Sequence, residues 1–103
     1  MTDNDTDRLE PKEAQRKING IAKLGYITPT GHLSDRMEER GYDSQDLEQI
    51  LSLGKVIDPP EYDKNHNQWK YKVEGNIVDG EKATVIVTVL SHNEILGITI
   101  MDK

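Results

Sequence analysis

The hydrophobic pattern of this chain changes period once, near Lys55, and that change limits the folds open to it. Before Lys55, apolar residues recur every three or four positions. Ala14, Ile18, Ile21 and Leu24 predict an amphipathic helix opened by Pro11 and ending near Gly25. Leu33 and Met37 supply the apolar stripe of a second helix, between the turn Thr28-Pro29-Thr30-Gly31 and a stop at Gly41. Leu47, Ile50 and Leu51 do the same for a third, capped by Asp43 or Ser44 and closed by Gly54.

After Lys55 the apolar residues alternate instead. Lys55-Val56-Ile57 reads as a short strand cut off by Pro59-Pro60, and Glu61 to Asn67 as a polar loop. Trp69, Tyr71 and Val73 alternate with Lys70, Lys72 and Glu74, as in a half-buried strand. Asp79-Gly80 is a hairpin turn signal. Ala83 to Leu90 is apolar on both faces, Val85, Val87 and Val89 on one and Thr84, Ile86, Thr88 and Leu90 on the other, which predicts a central strand. In the last strand Leu96, Ile98 and Ile100 face opposite to Ile95, Gly97 and Thr99. Helices followed by strands define an α+β fold: N-terminal helices packed on one face of a three- to four-stranded antiparallel sheet.

At 103 residues there is room for one domain, read here as 11–103. Residues 1–10 carry four acids against Arg8 and almost nothing to bury, which predicts a disordered acidic tail. No apolar run reaches the roughly 18 residues that span a bilayer, and the N-terminus lacks the basic start and apolar centre of a signal peptide. The expectation is a cytoplasmic protein with no membrane partner. Without cysteine there is no disulfide, thiolate chemistry or sulfur-ligated zinc. The net charge of −6 argues against a general nucleic-acid binder, so no DNA partner is expected.

The stretch Gly31 to Arg40, GHLSDRMEER, carries the functional signal. On a helix, His32, Arg36 and Arg40 fall at i, i+4 and i+8, one above another. With Thr30 as cap, His32 lies in the first turn, where the positive end of the helix favours neutral imidazole, the state a general base requires. The bland alternative is that His32 caps or hydrogen-bonds locally while the arginines pair with Asp35, Glu38, Glu39 or a strand acid. His66 and His92 sit in a polar loop and a turn and read as exposed residues. The three histidines lack metal-ligand spacing, so neither metal nor cofactor is expected. Trp69 and Tyr71, beside lysines, fit a strand core better than a base-stacking platform.

The run HLSDRMEERGYDSQDLEQILSLG resembles the His-x-x-x-Arg-Met-x-x-Arg-Gly opening of a small bacterial family of uncharacterised domains. That family is grouped with the RelE and BrnT toxins in the barnase–EndoU–colicin–RelE superfamily. The resemblance runs from Thr28 to the C-terminus, where Gly97-Ile98-Thr99-Ile100 is similar to the family's terminal strand. It implies a RelE-like fold and metal-independent cleavage or binding of RNA. It places His32 and Arg36 as catalytic positions and Arg40 and Thr99 as substrate-binding ones. Lys70 and Lys72, on the polar side of their strand, are candidates to add positive charge. His32 would take the 2′-hydroxyl proton, and Arg36 would hold phosphate oxygens. RelE-type toxins are usually basic, whereas this chain is acidic and ends in Met101-Asp102-Lys103. That difference motivates the alternative, a non-catalytic protein-interaction module with an antitoxin-like partner. A third use of the motif is structural, with His32 and Arg36 tying helix to sheet.

Overall fold

Pro11 occupies the first turn of helix α1 (Pro11–Leu24), where its missing N–H costs no hydrogen bond. In a computed structural model describing residues 8–102, strand β1 (Tyr26–Pro29) and helices α2 (Gly31–Arg40) and α3 (Ser44–Leu53) come next. Strands β2 (Lys55–Asp63), β3 (Gln68–Asn76), β4 (Lys82–Ser91) and β5 (Glu94–Asp102) complete the chain. The fold is α+β as expected, but the sheet differs from the expectation. Among the described residues it has five strands in the order β1-β5-β4-β3-β2, and it is mixed. Strands β2 to β5 form an antiparallel meander, while β1 lies parallel to β5 with Ile27 beside Ile95.

Strand β1 escapes a reading of periodicity for a physical reason. Four residues ending in proline carry little propensity of their own, and the pairing partner lies almost seventy positions away in the sequence. Strand β2 corrects a second expectation, because it does not stop at Pro59-Pro60. It crosses them by a register shift between Ile57 and Glu61, with Asp58 in the left-handed region at φ 64°. Both prolines fall within that shift, where no residue is paired with β3, and β2 has no neighbour on its other side, so their missing N–H groups break no ladder bond.

Strand β4 takes the central place that its two apolar faces predict. Val85, Val87 and Val89 are buried beneath the helices together with Tyr71, Val73 and Val56 from the neighbouring strands. Ile18, Leu33, Ile50 and Leu51 close this core from above, each essentially without exposure. Each such side chain contributes about 1.5–3 kcal/mol by leaving water. Of the expected acidic tail, residues 1–7 lie outside the described residues. Leu9 is buried in the core, and its N–H donates to the Tyr71 hydroxyl at 2.9 Å. Burial raises the pKa of that phenol above its ordinary value.

The last strand departs from simple alternation. Ile86 pairs with Thr99 but Val87 pairs with Gly97, so Ile98 is an extra residue in β5. This bulge puts Ile95, Gly97 and Ile100 together on the helix face and leaves Leu96, Thr99 and Met101 on the other. The expected grouping of Leu96 with Ile100 is thereby corrected. Gly97 lies directly under Leu33: a Cβ there would sit 2.5 Å from Leu33 Cδ2. Gly97→Ala is therefore expected to destabilise the protein by about 1–3 kcal/mol, because fully buried Leu33 must shift within the core to admit the methyl group. Urea unfolding of the two proteins checks this, and equal midpoints would refute the packing argument.

Candidate functional site

Helix α2 is set by its ends. Thr30, extended at φ −73° and ψ 164°, caps it by accepting from the Leu33 N–H at 3.1 Å. The same hydroxyl donates to the Ile98 carbonyl at 3.0 Å, and the Thr30 N–H donates to Gly97 O at 2.9 Å. Gly41 ends the helix at φ 74°, a conformation glycine adopts without strain, and the Tyr42 N–H closes back on Met37 O. Asp43 rather than Ser44 then caps α3, in a reciprocal pair with Asp46.

Past Pro29, β1 no longer covers the outer edge of β5, and α2 lies along it instead. Arg36 reaches over and donates from Nη2 to the Ile100 carbonyl at 3.3 Å. That is the guanidinium's hydrogen bond within the described residues, and its Nε–H is shielded from water without any acceptor. A buried donor left unpaired costs about 1–3 kcal/mol, comparable to or greater than what one long bond returns. Arg36 is thus held against the Ile100 carbonyl at the edge of β5 with little net stabilisation. His32 stands exposed at the first turn, and Arg40 is half-buried at the last.

The lysines lie elsewhere on the sheet. Lys72, Ile86 and Thr99 form one cross-strand row on the face that none of the described helices covers, with Ile57 at its outer end. Two strand spacings separate Lys72 from Thr99, about 10 Å. Each lysine faces a carboxylate that the sequence did not reveal. Lys70 Nζ is 3.3 Å from Asp63, and Lys72 Nζ is 3.6 Å from Asp58. Both acids sit where β2 is irregular or turning, so no periodicity could align them with β3. With Pro59, Glu61 and Ile86 the lysines line only a small dent of about 70 Å³. His32, Arg36 and Arg40 line none of the five cavities found among the described residues, so the structure does not bring the helix row and the lysines into one pocket.

Asp63 is the most perturbed carboxylate. The hydrogen bond from His66, Nδ1 to Oδ2 at 2.9 Å, does most to lower its pKa, from 3.8 to about 2, with Lys70 and the Asn65 N–H also contributing. Partial desolvation opposes them. Among the described residues no cluster of three His, Asp or Glu side chains is placed to hold a metal ion, and no helix is long and apolar enough to cross a membrane.

A mixed five-stranded sheet with helices on one face and a polar helix row at its edge defines the class. Residues 30–102 match the family described as "Domain of unknown function (DUF4258)", and the chain belongs to it. The matched segment starts at the cap of α2 and leaves α1 and β1 outside. No curated protein and no solved structure shows a significant match.

Two outcomes are expected. Arg36→Met, which keeps the apolar stem and removes the donors, shifts unfolding stability by less than about 1 kcal/mol. A fall of several kcal/mol would instead make Arg36 a structural tie. The depressed Asp63 pKa gives a stabilisation that is complete above about pH 4 and is lost as pH falls towards 2. Asp63→Asn should therefore flatten the acid limb of stability against pH in that window and leave the neutral region's slope unchanged.

Proposed function

We propose that this chain is an RNA-directed domain of the RelE and BrnT kind, which receives a phosphodiester where α2 borders the open sheet face. The observation that carries the reading is the state of Arg36. It is a half-buried guanidinium at the edge of β5, held to the Ile100 carbonyl by one 3.3 Å bond and keeping one donor unpaired. A phosphate offers such a fork the bidentate acceptor that the fold does not. His32, one turn earlier and open to solvent, is positioned to take the ribose 2′-hydroxyl proton. The 2′-oxygen then bonds to phosphorus, the 5′-oxygen leaves with a proton from solvent, and a 2′,3′-cyclic phosphate remains. In this reading Arg40 steadies a flanking phosphate, the Thr99 hydroxyl donates a hydrogen bond, and Lys70 and Lys72 extend the track across the sheet.

The test is incubation of the purified protein with single-stranded RNA in excess chelator, beside His32→Ala and Arg36→Met. Loss of the base is expected to slow cleavage by about 10²–10⁴-fold. Arg36→Met should weaken RNA retention and flatten its dependence on salt. Absence of both cleavage and retention by the wild type would sink the proposal.

A second reading, a non-catalytic protein-interaction module with an antitoxin-like partner, is favoured by one observation. Asp63 and Asp58 offset both lysines, so the open face carries less positive potential than its sequence suggests. Under this reading the wild type leaves RNA intact and retains a protein.

A further inference from the structure

A groove of about 560 Å³ opens on the helix side of the molecule, between β1 and the two helices that follow it. Its walls are Ala22 from α1, Ile27 and Pro29 from β1, Met37 from α2, Tyr42 from the connection and Leu47 from α3. Every charged residue lining it is acidic: Glu38, Asp43 and Glu48. Asp43 is engaged in capping α3. Glu38 and Glu48 are exposed, and no ion pair or hydrogen bond holds either side chain among the described residues. None of His32, Arg36, Arg40, Lys70, Lys72 or Thr99 lines it, so it is separate from the surface considered above.

We propose that this groove docks a basic amphipathic helix from a partner protein. Its apolar stripe would lie on Ile27, Met37 and Leu47, and its lysines or arginines would reach Glu38 and Glu48. The lining, an apolar floor of Ile27, Met37 and Leu47 with acids at its rim, is the pattern by which a groove receives the apolar stripe of a helix. Charge selects the partner, because three acids with no base repel an acidic segment and steer a cationic one. Backbone chemistry selects helix over strand. The Tyr26 and Thr30 N–H groups point inward to β5, so Ile27 and Pro29 present the outer edge of β1. Proline has no N–H, so the edge offers an incoming strand one donor, too few to anchor it. A helix satisfies its own backbone and needs only the apolar floor and the acids.

The test uses a synthetic leucine–lysine amphipathic helix as probe and its leucine–glutamate counterpart as control. Binding is followed on the full chain by fluorescence anisotropy and by amide chemical shifts. The cationic probe is expected to bind and to perturb Ile27, Met37 and Leu47, and the acidic one to do neither. Glu38→Lys with Glu48→Lys should weaken binding by about tenfold or more, a loss of about 1.4 kcal/mol. Glu39→Lys with Glu81→Lys alters net charge equally but away from the groove, so it should cost much less. All four positions are exposed, and thermal melts confirm that each variant folds. Equal losses from both pairs, shifts confined to another surface, equal binding of the two probes, or a dimer of this chain that buries Ile27 would each overturn the proposal. RNA retention, measured on the same variants, should change equally in the two pairs because their net charge is the same, which separates failure here from failure of the RNA reading.

Discussion

The seating of Leu33 on Gly97 is the contact on which the rest of the arrangement depends. A sheet that gains a strand at only half of its edge leaves the other half's carbonyls uncovered. Here the chain turns at Pro29, and α2 takes over where β1 stops. That requires a helix to approach β5 closely, and a missing side chain at Gly97 makes the space. The bulge at Ile98 is part of the same solution, because it rotates Gly97 and Ile100 to one face while Thr99 turns to the other. Thr30 and Arg36 can then reach the Ile98 and Ile100 carbonyls. Helix, bulge and glycine are one device for ending a parallel pair without stranding polar groups.

Much of this fold could be read from the sequence, and the misses have causes. Helices α1 to α3 announce themselves by spacing and caps, and Thr30, Asp43 and Gly41 act as their chemistry predicts. The valines of β4, with Thr84, Ile86 and Thr88 opposite them, mark it as the central strand. Strand β1 is invisible because its stability comes from Glu94–Gly97, far along the chain. The β5 bulge is invisible because adding one residue leaves hydrophobicity unchanged and alters only direction. Diproline in β2 misleads because proline's cost depends on whether a neighbouring strand exists, which is a tertiary fact.

The candidate site was legible to a different degree. Spacing alone put His32, Arg36 and Arg40 on one row, and the helix caps fixed where the row begins and ends. What spacing could not reveal is that Arg36 leans on a backbone carbonyl or that Lys70 and Lys72 have acids opposite them. Asp58 comes from the register shift in β2 and Asp63 from the strand's last position before the turn, so neither partner follows from the alternation of the pattern. The groove was hidden for a related reason: Met37 and Leu47 were recognised as apolar and assigned to the core, although both also border a surface opening.

The irregularity in β2 has a consequence for the protein as a population of molecules. An exposed sheet edge is a template on which another copy can add a strand, and repetition of that step leads to fibres. Here the outer strand carries two adjacent prolines, a left-handed Asp58 and a broken register. Copies meeting edge to edge find missing donors and a backbone that twists away. At the opposite end β1 is only four residues long and finishes in another proline. Both margins of the sheet are therefore poor nuclei for stacking, so in a chain with exposed Leu24, Tyr26 and Leu53 the backbone of the edges adds to the net charge of −6 in opposing edge-to-edge association.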